Sequence, residues 1–181
     1  SAVYSVGPLF SEHLKDQHAL GSLFVSLYGI PGIFVGIALQ PLGKRFGKKK
    51  VAFVTGALGG LCAFLMGFAS AVTMILAGMF FASLWISIME PSLVAVFEDL
   101  IARGEKVAND LISMTAMTCS FSYIVGPILN GYLNDQFGEL MVFKIWGGLI
   151  FAWSLFLLFT FPRKVHLPQK QIAEIIDETE A

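Results

Sequence analysis

Long apolar runs alternate with short polar breaks along the whole chain. Five runs are complete: about Leu20–Leu42, Val51–Phe68, Thr73–Phe97, Asp110–Leu133 and Leu140–Phe161. Each is close to the roughly 20 apolar residues a helix needs to cross a bilayer. Ahead of them, SAVYSVGPLF reads as the tail of a span whose beginning is missing, which marks the chain as a fragment or processed piece. SEHLKDQHA then reads as a polar loop. The pattern predicts an all-α, polytopic membrane protein with six transmembrane helices, the first one truncated, over residues 1–162. A polar tail at 163–181 follows, as a short surface helix or a disordered segment.

The breaks carry the charge. PLGKRFGKKK holds Lys44, Arg45, Lys48, Lys49 and Lys50 between the first two complete spans. A short basic loop between spans stays in the cytoplasm by the positive-inside rule. Alternation then puts SEHLKDQHA, residues 69–72 and NDQFGE outside. It puts IARGEKVAN and the C-terminus, with Arg163 and Lys164, in the cytoplasm. Every Lys and Arg except Lys15 and Lys144 falls on the cytoplasmic side. A basic turn between core helices of a soluble protein would not explain why the spanning pattern repeats. Whether the membrane is the plasma membrane or that of an intracellular vesicle stays open.

Composition sharpens the exclusions. Hydrophobic residues make up 56% and charged residues 14%, with mean hydropathy +0.74. Soluble domains carry about 25% charged residues. A net charge of −1 leaves no single-sign surface to hold nucleic acid. Cys62 and Cys119 lie in apolar runs, without metal-ligand spacing or a disulfide framework. No nucleophile set, metal cluster or phosphate loop is present, so the reading is not an enzyme and requires no cofactor. His13 and His18 read as surface residues, with metal binding or pH sensing as the alternative.

Several positions inside the spans stand out. Gly29, Pro31, Gly32 and Gly36 interrupt the first complete span, with a kink expected near Pro31. Gly56 and Gly60 form a close-packing pair at i, i+4, more in keeping with packing inside the chain than with a dimer. In the fourth span Thr115, Cys119, Ser122 and Gly126 fall on one helical face, as packing contacts or as a cavity wall. Lys144 sits near the outer end of the fifth span, where it can snorkel.

Glu90 carries the strongest chemistry. It lies in the uncharged run FFASLWISIMEPSLVAVF, directly before Pro91. A charge at a membrane helix centre costs about 2.5–3.5 kcal/mol on insertion scales, so it normally faces a cavity or partner. Ser87 and Ser83 share its face at i−3 and i−7. Pro91 loosens the backbone beside it. Burial favours the protonated carboxyl and a bound cation favours the carboxylate, a competition suited to proton/cation exchange. The substrate or proton pathway is therefore expected at Glu90, Ser87, Ser83, Thr115, Cys119 and Ser122. The alternative is a structural carboxylate, hydrogen-bonded within the bundle.

Six spans with a basic loop between the second and third resemble one half of a major facilitator superfamily transporter. The superfamily's loop reads Gly-x-Leu-(Gly/Ala)-Asp-Arg-x-Gly-Arg-(Arg/Lys); here Gly43, Arg45, Gly47, Lys48 and Lys49 match it. Gln40 replaces the first Gly and Lys44 replaces the Asp. The resemblance implies a gating role for Gly43, Arg45, Gly47 and Lys48, which the missing Asp weakens. Gly126, Pro127, Asn130 and Gly131 resemble the Gly-Pro-x-x-Gly-Gly helix-packing motif of antiporters, with Asn130 the departure. With FEDL and FGELMVF, the chain is most similar to the C-terminal half of drug/proton antiporters near the vesicular amine transporters. Those transporters carry a membrane Asp where Thr115 stands.

What the resemblance implies is alternating access, with two six-helix halves rocking about a mid-membrane site. The implied partners are the lipid bilayer, the other six-helix half of the same transporter, a small organic substrate (a cationic one is compatible) and protons. The alternatives are a receptor or scaffold that keeps the fold without transporting, and an oligomeric six-helix channel.

Overall fold

In the computed structural model, residues 2–101 and 105–160 are described. They form α1 (Ala2–Ser5), α2 (Gly7–Gln17), a 3-10 turn (Ala19–Leu23), α3 (Phe24–Phe46), α4 (Lys48–Met66), α5 (Val72–Ile101), α6 (Glu105–Phe137) and α7 (Glu139–Thr160). Among the described residues there is no strand, and five helices are long and apolar enough to cross a membrane. The architecture is that of an all-α polytopic membrane protein. Arg103 and the tail at 163–181 lie outside the described residues.

The breaks are shorter than the polar sequence suggests. SEHLKDQ is not a loop: α2 runs through it to Gln17. No Gly or Pro interrupts residues 9–17, and Phe10 and Leu14 point inward, buried, at a helical interval. The turn comes at His18, whose extended backbone ends the helix and whose Nδ1 accepts a hydrogen bond from the Leu20 N–H at 3.2 Å. The basic loop is also mostly helical. Gly47 alone separates α3 from α4, with φ +84, a region L side chains rarely adopt. Its N–H donates to the Gly43 carbonyl at 3.1 Å. Gly138, with φ +80, makes the same one-residue break between α6 and α7, so NDQF extends the fourth span as helix.

α4 is wedged between α5 and α7 by its glycines. A Cβ on Gly59 would fall 2.9 Å from Ile86 of α5. A Cβ on Gly60 would fall 2.5 Å from the Phe151 backbone N of α7 and 2.8 Å from the Gly147 carbonyl. One on Gly56 would meet Ser154 of α7 at 2.7 Å and Met89 of α5 at 2.8 Å. Gly67, near the far end, faces Leu140 and Lys144. The pairs 56/154, 60/151 and 67/144 fix an antiparallel register along the C-terminal half of α4. Gly56 and Gly60 thus serve packing within the chain. In lipid no hydrophobic force pushes helices together, so this close van der Waals seam is what holds them.

At the end away from the basic segment, Phe10, Leu14, Phe24, Met66, Ile75, Leu76, Met79 and Phe143 form one buried cluster. Phe24 stacks edge-on to Phe10 and Phe143, centroids 5.0 and 5.8 Å apart. Lys144 places its Nζ 4.1 Å from the centre of the Phe68 ring, in the link after α4, which gives this charge an aromatic partner.

Candidate functional site

α3 and α5 run side by side in the same direction. Tyr28 and Gly32, one turn apart on α3, meet Ser83 and Ser87, one turn apart on α5. The Ser83 hydroxyl donates to the Tyr28 carbonyl, and Ser83 is only 1% exposed. A Cβ on Gly32 would lie 3.9 Å from the Ser87 Oγ. Pro31 is fully buried inside α3, between these two contacts. Its ring removes the hydrogen bond to the Leu27 carbonyl, and the hydroxyl of Ser83 braces the backbone at the next residue. Ser83 is therefore a packing group committed to α3.

Glu90 comes one turn after Ser87 on the same face of α5. Its side chain is exposed on this bundle. The Tyr4 and Tyr28 rings meet edge-on, with centroids 5.8 Å apart. Tyr4 and Tyr28 thus join α1 to α3. The pairing of the tyrosines is not legible in the sequence, where α1 reads as the tail of a span and Tyr28 as one aromatic in an apolar run.

The fourth-span residues divide. Thr115, Cys119 and Ser122 lie exposed on the N-terminal part of α6, whereas Gly126 is buried. They share a helical face but not an environment, because α6 meets the bundle mainly through its C-terminal half. Neighbouring Thr118 returns its hydroxyl to the Met114 carbonyl at 2.7 Å, the usual way a helix satisfies such a group. Pro127 and Gly131 are exposed, and nothing lies within 4 Å of a Cβ on Gly131.

Asn130 holds α6 in place. It is completely buried, and its Nδ2 donates to Ser5 Oγ at 2.9 Å. Its Oδ1 accepts from Trp146 Nε1 at 2.6 Å. One amide therefore ties α1, α6 and α7 together. This contact was not legible: its partners are 125 and 16 residues away. In the basic segment Gly43 and Gly47 share the backbone bond that closes α3, while Arg45 is exposed and lies 5.5 Å from the Phe46 ring centre. Lys48 is exposed in the first turn of α4.

At the opposite end, His13 Nδ1 and Glu139 Oε1 lie 2.6 Å apart and join α2 to the start of α7. Among the described residues no group of three or more His, Cys, Asp or Glu could hold a metal ion.

The family model described as Major Facilitator Superfamily matches residues 1–176. The chain belongs to the major facilitator superfamily. Membership accounts for the run of five apolar spans among the described residues. Superfamily membership supports a multi-pass membrane transporter in general terms, without naming a substrate or a coupling ion. Comparison with curated proteins and with solved structures returned no match.

Proposed function

We propose that this superfamily half belongs to a secondary active transporter that exchanges protons for a small organic solute, cationic in charge, by alternating access. The observation that carries the reading is the exposed Glu90 carboxylate on an otherwise uncharged span, one turn beyond the Gly32–Ser87 contact of α3 with α5. A carboxylate pairs with an ammonium or a proton. The exposed side of this half would then form one wall of a central site, completed by the other six-helix half. Thr115, Cys119 and Ser122 would line the same side from α6. Arg45 and Lys48 flank the Gly47 pivot, at the end the positive-inside rule assigns to the cytoplasm, together with the C-terminus. The bilayer, the other half, the solute and protons are the partners of this reading.

Glu90→Gln in the complete transporter tests it. The variant keeps the shape and loses the titrating group. It should abolish proton-driven uptake while leaving folding and membrane level intact. Unchanged pH-dependent uptake would remove Glu90 from the coupling role. The second reading, a receptor or scaffold that keeps the fold without transporting, draws on Lys44 and Thr115 standing where related transporters carry Asp. Proton-driven uptake by the complete protein separates the two.

A further inference from the structure

Behind the Tyr28–Ser83 contact lies a partly open cavity of about 160 Å³, lined from α1, α3, α4, α5 and α7. Its walls are mostly apolar and include Met66, Met79, Ile86 and Ile150. Two polar side chains of the wall are already committed elsewhere. Ser83 donates to the Tyr28 carbonyl, and Trp146 donates its indole N–H to Asn130 at 2.6 Å. Tyr28, the third polar residue of the wall, meets the Tyr4 ring edge-on.

A buried water needs two to four polar partners, and this lining offers few. An engineered cavity of about 150 Å³ with apolar walls stays dry and accepts benzene or xenon. Drug-sized ligands occupy pockets of roughly 300–1,000 Å³, so this cavity is too small for them. A charged ligand would lose its hydration without gaining a partner. We infer that the cavity is a binding site for one small, uncharged, apolar molecule of single-ring size, reached from the bilayer. Two thioethers among the walls suit an aromatic ring, since methionine sulfur makes favourable contacts with ring edges. An occupant there braces the α3–α5 crossing, in contact with Tyr28 and Ser83. The inference rests on the cavity and its lining, independently of the transport reading.

The test uses the full chain in lipid nanodiscs, with benzene and xenon as probes. Benzene should raise the thermal unfolding midpoint saturably. At about a hundred times its Kd, the folded-to-unfolded ratio should rise about a hundredfold. Ala82→Leu, which fills the cavity from α5, should remove that rise. An equal rise in Ala82→Leu would mean that benzene acts by dissolving in the bilayer, and would overturn the inference. Xenon NMR of the unaltered chain decides the matter if Ala82→Leu does not fold. A saturable bound xenon population supports the site, and a response linear in xenon pressure overturns it. Ile150→Ala should enlarge the cavity and shift preference from benzene towards p-xylene; no change in preference would also count against it.

Discussion

Gly60→Ala is the most informative single change in the bundle. The added methyl would meet the Phe151 backbone N at 2.5 Å and the Gly147 carbonyl at 2.8 Å. Both atoms are backbone, so neither can rotate away. To reach the ordinary 3.4 Å contact, α4 and α7 must move apart by most of an ångström. A gap of 0.5–1 Å forfeits about a quarter to a half of each dispersion contact. That loss spreads along the seam from Gly56 to Gly67. Overpacking of this kind typically costs about 1–3 kcal/mol. The control is Gly36→Ala on α3, where nothing lies within 4 Å of the new Cβ. There the helix should gain about 0.5–1 kcal/mol, since Ala restricts the unfolded chain more than Gly. Denaturant titration of both variants, followed by tryptophan fluorescence, should give shifts of opposite sign. Equal shifts, or a Gly60→Ala variant as stable as the parent, would refute the argument that backbone proximity at the α4–α7 seam holds this half together.

Other expectations follow from single contacts. Asn130→Ala should cost about 1–3 kcal/mol, because it strands the half-buried Trp146 indole N–H. Trp146→Phe in the Asn130→Ala background should recover part of that loss, and a double-mutant cycle by chemical denaturation measures it. Gly47→Ala should cost about 1–3 kcal/mol, because φ +84 strains any residue with a Cβ. Protease accessibility at the α3–α4 junction should rise with it. The His13–Glu139 pair should contribute little: His13 is 69% exposed, and exposed pairs are worth about 0–1 kcal/mol. A cycle of His13→Ala and Glu139→Ala giving a coupling well above that range would show a stronger link than the geometry supports.

The spans were legible because membrane helices obey a one-dimensional rule. Each needs a long apolar stretch, and length alone separates it from a loop. Their ends were less legible. SEHLKDQ and NDQF are polar, but polarity does not end a helix; a backbone change does, and it comes at His18 and Gly138. Gly56 and Gly60 could be read as packing residues from spacing, although only the structure names α7 and α5 as what they meet. For the site the limit was different. Glu90 was conspicuous as a charge in an apolar run, whereas Tyr4, Tyr28, Ser5 and Trp146 look like ordinary span residues. Their roles arise from contacts between distant segments, which periodicity cannot encode.

The exposed surface carries the last step of the argument. α7 leaves Leu149, Trp153, Phe156 and Phe159 uncovered, a face suited to hydrocarbon. α6 leaves uncovered a mixture of Met114, Met117, Phe121 and Tyr123 with Thr115, Cys119 and Ser122. α5 adds Glu90. A carboxylate facing lipid tails would cost several kcal/mol with nothing to offset it, so the side that bears Glu90 requires different surroundings from the side formed by α7. One half thus has two unlike outer faces. That asymmetry is what a superfamily half needs if one face is to meet lipid and the other a polar cleft or a second half, and it arises from the placement of a few polar residues on helices that are otherwise uniformly apolar.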